Sequence, residues 1–489
     1  MAFAPVLSSQ THGKENLLRT NKPEKSSFTL KRNEAKLDEE GLKNLILDDP
    51  IGRNKDLVSI LGLLEAIEGP FSIFLDAAWG EGKTVFVKQL ELVLNLCNPQ
   101  LQSRVACLDD EARAAVLQKL GVADKHELES FFPVYFNAWE NDYWDDPLPA
   151  LGATLAIAAG DVLDARGDAS AAKAVAAAAD ALLQLRGLPA LFANEEGALR
   201  RENLVKDKLN RDRIRGAVAE LVDKARPERA NVLVLIIDEL DRCRPSFALR
   251  LLEETKNLFD SDGLIILYSV NSAQLERMVE AAYGQGCDGG RYLTRFFDLR
   301  TTLGKVDSTA YLKLRGARVG FVDWYDDAAI EIMSSYPLTL RDANSFLLEH
   351  RLKREFINVR GNDNLVVGFV SGCIVPMLLA IRTVDYSDFL AVVDDLDASP
   401  LVALFDKCGS LTNHLDKTIR FVHPERGRDG AVADLREGFL SDLLIVLFHP
   451  DGRSDTVTGA SNRLGGGPEL LSIRGTINGV RKSSLSIFD

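Results

Sequence analysis

The chain has 489 residues, 46% of them hydrophobic and 27% charged, which excludes a disordered or fibrous polymer and is enough for two or three structural units. Lys and Arg total 58 against 72 for Asp and Glu, and the net charge of -14 opposes non-specific attraction to nucleic acid or to an anionic membrane surface. The six cysteines, at 97, 107, 243, 287, 373 and 408, show neither paired metal-ligand spacing nor the density of a disulfide scaffold, so a reducing, cytoplasmic setting is expected.

The first 40 residues, beginning "MAFAPVLSSQTHGKENLLRTNKPEKSS", lack the apolar core of a signal peptide and read as a flexible arm. "DDPIGRNKDLVSILGLLEAI" then opens with turn chemistry at Asp48-Asp49-Pro50 and continues with apolar residues at helical spacing. Five short apolar runs follow as strand candidates: "FSIFLD" at 71, "FPVYFN" at 132, "VLVLIID" at 232, "LIILYSV" at 264 and "FDLRTTL" at 297. Helical patterns separate them. The order predicts an α/β fold with a mostly parallel five-stranded sheet covered on both faces, spanning residues 41–304.

A helical insertion is expected at about 150–226. It joins the Ala-rich "AAKAVAAAADALLQLRG" to the charged, amphipathic "GALRRENLVKDKLNRDRIRGAVAELVDKARP". Residues 305–360 read as a helical, lid-like region, and 361–489 as a helical interaction or sensor region that loosens into the Gly-rich "TGASNRLGGGPELL". Within it, "LVVGFVSGCIVPMLLAI" (365–381) is uncharged but at the lower length limit for a spanning helix and contains Gly368, Gly372 and Pro376. We read it as a buried, broken core helix, so membrane attachment is not expected.

The chemistry concentrates after the first strand. "AAWGEGKT" (77–84) is a glycine-containing turn between a strand and a helix, where backbone N–H groups and the helix N-terminus point at phosphate oxygens. Ala78, Trp79, Gly80, Glu81, Gly82, Lys83, Thr84 and Val85 form the expected nucleotide-binding set. Lys83 would reach the β- and γ-phosphates and the Thr84 hydroxyl would ligate Mg²⁺. Ala77 stands where the pattern normally has its first glycine, and its tolerance depends on whether that residue needs positive φ. A second motif, "NVLVLIIDELDRCRP" (231–245), is an apolar strand ending in Asp238-Glu239. Asp238 is expected to hold Mg²⁺ through water, and Glu239 to orient and deprotonate the attacking water.

Together "AWGEGKT", "FPVYFNAWEND", "VLVLIIDELDRCRP" and "RYLTRFFDL" resemble the KAP family of P-loop NTPases over roughly 45–345. That family falls in the division of P-loop ATPases with an extra strand between the two Walker motifs, and "FPVYFN" is taken as that strand. The resemblance implies further roles. Asn137 would restrain Glu239 or merely close a turn; Asn271 would contact the γ-phosphate or cap the following helix. Arg295, with Arg291 as its neighbour, would act as an arginine finger toward a second subunit in a homo-oligomer or form an ordinary surface salt bridge. Arg341 would let a helical lid feel the nucleotide, and Ile51 and Gly52 would lie near adenine. Trp79 and Trp139 are expected to pack rather than catalyse, and Asp241 and Arg242 to shape the second motif. Many family members carry membrane spans after the Trp139 position, whereas here the insertion is Ala-rich and charged.

The implied function is Mg²⁺-dependent ATP hydrolysis coupled to conformational change or assembly, with a role in prokaryotic anti-phage defence or regulation. ATP is favoured because no guanine-selecting Asn-Lys-x-Asp element follows the fourth strand. A nucleotide-dependent scaffold with little turnover and a small-molecule kinase are the alternatives. A protein partner would be met through the insertion or the C-terminal region.

Overall fold

The five apolar runs form five parallel strands: β1 (Phe71–Asp76), β2 (Phe131–Asn137), β3 (Val232–Asp238), β4 (Leu264–Val270) and β5 (Leu299–Thr302). The computed structural model describes residues 37–67, 69–165, 173, 232–258, 263–284, 286–304, 306, 324–336, 338–356, 365–425, 432–465 and 474. The sheet order is β2-β3-β4-β1-β5. In sequence β2 lies between the two motif strands, but in the sheet the strand between β1 and β3 is β4, which corrects the placement expected for "FPVYFN".

β1 to β4 read as continuous apolar runs because both faces are covered, whereas the edge strand β5 exposes alternate residues. Alternation sends Leu233, Leu235 and Ile237 of β3 into one core and Val234 and Ile236 into the other. The first core is completed by α5 (Pro147–Ala165), α6 (Pro245–Leu258), α7 (Ser272–Tyr283) and α8 (Gly289–Leu293). The second is completed by α1 (Glu39–Asp48), α2 (Asn54–Glu65), α3 (Lys83–Cys97) and α4 (Asp110–Leu120). The sequence reading did not place α1; Asp38 caps it by accepting the Gly41 N–H at 2.8 Å, and Leu42 and Ile46 anchor it. β5 is shorter than "FDLRTTL": Phe297 packs on the Phe74 ring, and the Asp298 carboxylate accepts the Ser72 N–H at 2.8 Å before the strand begins.

A third apolar cluster runs from Ala328 to Leu464. It is built by α9 (Trp324–Ser335), α10 (Leu340–Phe356), α11 (Leu365–Val384), α12 (Tyr386–Val393), α13 (Ser399–Phe405), α14 (Gly409–Val422), α15 (Val432–Phe448) and α16 (Asp455–Arg463). The lid-like helices therefore share a core with the C-terminal helices. Among the described residues α11 alone is long and apolar enough to cross a membrane, and 83% of its apolar window is buried inside the protein. It does not break at its glycines and proline. A π-helical turn at Val370–Ile374 widens the helix just before Pro376, giving the ring room against the preceding turn. "TGASNR", expected to be loose, falls in α16. Most of the insertion, including "AAKAVAAAADALLQLRG" apart from Lys173 and all of 196–226, lies outside the described residues, as does the arm before residue 37.

Candidate nucleotide site

Parallel register brings the chemistry to one edge. Asn137 aligns with Asp238, Asp238 with Ser269, and Asp76 with Val270, so the carboxyl ends of β1, β2, β3 and β4 are level, the position at which open α/β sheets bind ligands. From β1 the chain turns through Ala77–Gly82 into α3. Gly80 at φ 85° and Gly82 at φ 84° occupy the left-handed region, which suits glycine. Ala77 does not; its N–H continues the sheet ladder to the Val270 carbonyl at 3.1 Å, a conformation open to alanine. The 15-residue α3 begins at Lys83 after Gly82, which supplies no side-chain cap, so its first N–H groups keep their affinity for an anion.

Lys83 is buried, and its Nζ donates to the Ala77 and Ala78 carbonyls at 2.6 and 3.2 Å. Burial pulls its ammonium below the usual lysine value, opposed by Asp241, Asp238 and Asp76. Glu81 gives its carbonyl to Arg53, and Val85 packs on the core beneath the loop.

Opposite the loop, Asp238 is 1% exposed. Tyr135 donates to its Oδ2 at 3.2 Å, and Oδ1 is buried with no hydrogen-bond partner among the described residues. Such an orphaned carboxylate oxygen needs a cation or an ordered water. Together with the Thr84 hydroxyl it is a donor set suited to Mg²⁺, which takes oxygen ligands and few protein side chains. Glu239 leaves β3 at φ 61°, unusual for a non-glycine residue. Its Oε1 accepts from Thr84 Oγ1 at 3.3 Å and pairs with Arg242 Nη1 at 2.9 Å. Burial pushes its carboxyl above the ordinary value, and Arg242 opposes that shift.

Asn137 and Asn271 both make local hydrogen bonds through their side-chain oxygens. Asn137 Oδ1 accepts the Trp139 and Glu140 N–H groups at 3.1 and 3.2 Å, closing a turn. Asn271 caps α7 by accepting the Gln274 N–H at 3.4 Å. Arg295 is exposed, its guanidinium carbon 5.5 Å from the Tyr292 ring centre, on the α8 side of the sheet rather than on the loop. Arg341 is exposed in the first turn of α10, with its Cβ 3.3 Å from where a Gly80 Cβ would stand. Ile51 packs on the C-terminal core beside Gly52, which has φ 68°.

Three residues, Arg53, Tyr135 and Thr339, escaped the sequence reading, and Trp79 makes a contact that it did not specify. Arg53, 5% exposed, donates to Asp56, to the Gly304 carbonyl at 2.5 Å and to the Glu81 carbonyl at 3.0 Å, tying the entry segment and the end of β5 to the loop. Tyr135 holds Asp238. Thr339 caps α10 with Asp342 and seals Gly80, where an added Cβ would meet its Oγ1 at 2.5 Å. Trp79 donates its indole N–H to Asp241, linking the loop to the second motif. Trp79 and Trp139 are 43% and 53% exposed, and they pack at the surface, Trp79 on Asp241 and Trp139 under Arg242. An Arg beside an i+3 Asp at a helix start was a visible signal for Arg53; Tyr135 and Thr339 left none.

A parallel sheet with a glycine loop, a helix that starts at Lys-Thr and an acidic pair on the strand facing them define a P-loop NTPase domain. The model of the KAP family P-loop domain matches residues 56–311, more than half of the chain, and the chain belongs to that family. Comparison with curated proteins gave no match. Family membership points to nucleotide binding.

Proposed function

We propose that the chain is a Mg²⁺-dependent ATP hydrolase that passes its nucleotide state to the C-terminal helices. The observation that carries this reading is the meeting of Lys83, Thr84, Asp238 and Glu239 at the carboxyl edge of one sheet, with Glu239 3.3 Å from the Thr84 hydroxyl. Backbone N–H groups of the loop and α3 bind the phosphates. Lys83, now on loop carbonyls, turns to the terminal phosphates, and Glu239 takes a proton from the attacking water. Asp238 and Thr84 would hold Mg²⁺, whose charge offsets that of the phosphate oxygens. Asn271 and Arg341 would read the terminal phosphate, and Ile51 and Gly52 the base. Contact of Thr339, Leu340 and Arg341 with Gly80 and Gly82 supports transmission from the loop to the C-terminal core.

The proposed setting is cytoplasmic, as a homo-oligomer and with a protein partner on the insertion or C-terminal region; family resemblance supports prokaryotic anti-phage defence or regulation. The test is Mg²⁺-dependent phosphate release from ATP without an added acceptor. Lys83→Ala should lose nucleotide binding, and Glu239→Gln should bind ATP but not hydrolyse it. Equal turnover in the wild type and Glu239→Gln would sink the assignment of the base. A second reading, a scaffold with little turnover, is favoured by one observation: Glu239 is already engaged by Thr84 and Arg242.

A further inference from the structure

That engagement has a definite geometry. Glu239 sits in the left-handed region at φ 61° and ψ 23°, which a non-glycine residue keeps only when its surroundings hold it there. Its side chain is 11% exposed, and both neighbours that hold it converge on Oε1: the Thr84 hydroxyl at 3.3 Å and Arg242 Nη1 at 2.9 Å. Arg242 belongs to the short helical turn Leu240–Arg242, whose other polar member, Asp241, is fastened to the Trp79 indole. The turn is thus anchored to the phosphate loop, and Arg242 cannot drift from Glu239 without a rearrangement of its own side chain.

Arg242 also reaches outward. Its guanidinium carbon lies 5.5 Å from the ring centre of Trp139, which is 53% exposed. The Trp139 backbone is fixed by Asn137 Oδ1 at 3.1 Å, so Asn137 holds the tryptophan turn. A continuous chain of contacts therefore runs from the candidate base, through Arg242, to an aromatic ring at the surface.

A carboxylate that activates water must lie about 2.6–3.2 Å from that water, on the far side of the terminal phosphate. Held on the Thr84 hydroxyl by a guanidinium, Glu239 has Oε1 committed to protein groups and its carboxylate fixed beside Thr84, and the Thr84 hydroxyl is engaged as well. We propose that Arg242 is a positioning residue that latches Glu239 onto Thr84 and keeps basal hydrolysis low, with Trp139 holding the latch closed. This rests on the reading of Glu239 as the base. Turnover requires Arg242 to leave Glu239, and loss of the Trp139 ring frees Arg242 to swing into solvent.

The experiment measures kcat and KM for phosphate release from ATP by the full chain, with ATP affinity measured separately. Arg242→Ala should raise kcat about tenfold with KM within about twofold, the signature of a change confined to the chemical step. Trp139→Ala should raise kcat several-fold, and Arg242→Lys, which restores a cation, should return most of the restraint. Arg242→Ala combined with Glu239→Gln should have no turnover, because the gain passes through Glu239. An Arg242→Ala protein that binds ATP as the wild type does but turns over no faster, or more slowly, overturns the latch. If Arg242→Ala does not fold, Arg242→Gln and Trp139→Ala decide, and acceleration in neither overturns it. Wild-type turnover in Glu239→Gln removes the base assignment itself, whereas an inactive Glu239→Gln beside an unaccelerated Arg242→Ala removes only the latch.

Discussion

The Tyr135 hydroxyl donates to Oδ2 of Asp238 at 3.2 Å, and the other oxygen of that carboxylate is left buried without a partner among the described residues. Lys88 Nζ lies 3.2 Å from the centre of the Tyr135 ring, and burial beside Asp238 raises the phenol well above its ordinary pKa, so it stays a donor. Tyr135 thereby sets which oxygen faces the proposed metal. Tyr135→Phe should raise the Mg²⁺ concentration needed for half-maximal tightening of ATP binding by about three- to tenfold, the value of roughly one hydrogen bond. Binding without Mg²⁺ should not change. A fluorescent ATP analogue titrated with Mg²⁺ measures both, and an unchanged Mg²⁺ dependence would remove this role.

Ala77 and Gly80 make opposite predictions from one loop. Ala77 is outside the left-handed region, so Ala77→Gly should leave ATP affinity within a few-fold. A gain above about 1.4 kcal/mol, or tenfold, would show that the natural loop is impaired. Gly80 combines φ 85° with Thr339 Oγ1 2.5 Å from its absent Cβ. Gly80→Ala should cost on the order of 1–3 kcal/mol of stability and loosen α10 from the loop. Differential scanning calorimetry, with and without ATP, should show a lower Tm and a smaller nucleotide-induced shift; an unchanged Tm would contradict the packing.

The first four strands were legible because each is a short apolar run buried on both faces, Lys83-Thr84 because a glycine turn leads from β1 to them, and Asp238-Glu239 because they stand at the end of β3. What joins them was not. Arg53 meets Gly304 across 251 positions, and Tyr135 meets Asp238 across 103, so neither periodicity nor local spacing encodes the pair. Asn137 was ambiguous for a different reason: an Asn after a strand has the chemistry for a turn and for a contact with Glu239, and only tertiary packing decides. The π turn in α11 was misread as a break because Gly and Pro signal disrupted hydrogen bonding without specifying how it is repaired.

Asp76 gives the site a pH dependence. Burial alone would raise its carboxyl, but the Ser272 N–H at 2.8 Å and Arg300 at 2.6 Å bring it below the ordinary value. A carboxyl depressed in the folded state stabilises the fold above its unfolded pKa, about 3.9, and that contribution is lost as pH falls toward the folded value. The wild type should therefore be more stable than Asp76→Asn near neutrality, with the difference shrinking below about pH 4. Urea unfolding of both proteins across this range checks the sign; a difference that grows on acidification would refute it.

Arg295 supplies the test of assembly. It follows α8, is exposed, and rests over Tyr292, whose hydroxyl is fixed by Glu253 at 2.8 Å. In the proposed homo-oligomer this guanidinium, held on an anchored ring at the surface, would face a neighbouring chain, where its charge would stabilise the phosphoryl-transfer transition state. Arg295→Ala should then bind ATP normally but lose about 10³-fold in kcat, the lower end for loss of such an arginine. Arg291, whose N–H is tied to Asp288 at 2.9 Å, is the control with the smaller effect. Mixing Arg295→Ala with Glu239→Gln should recover activity, because some interfaces then pair an intact Glu239 with an intact Arg295, while neither protein alone does. Turnover per chain should also rise with protein concentration. Constant specific activity from dilute monomer to concentrated protein, together with an unimpaired Arg295→Ala, would leave Arg295 an ordinary surface arginine.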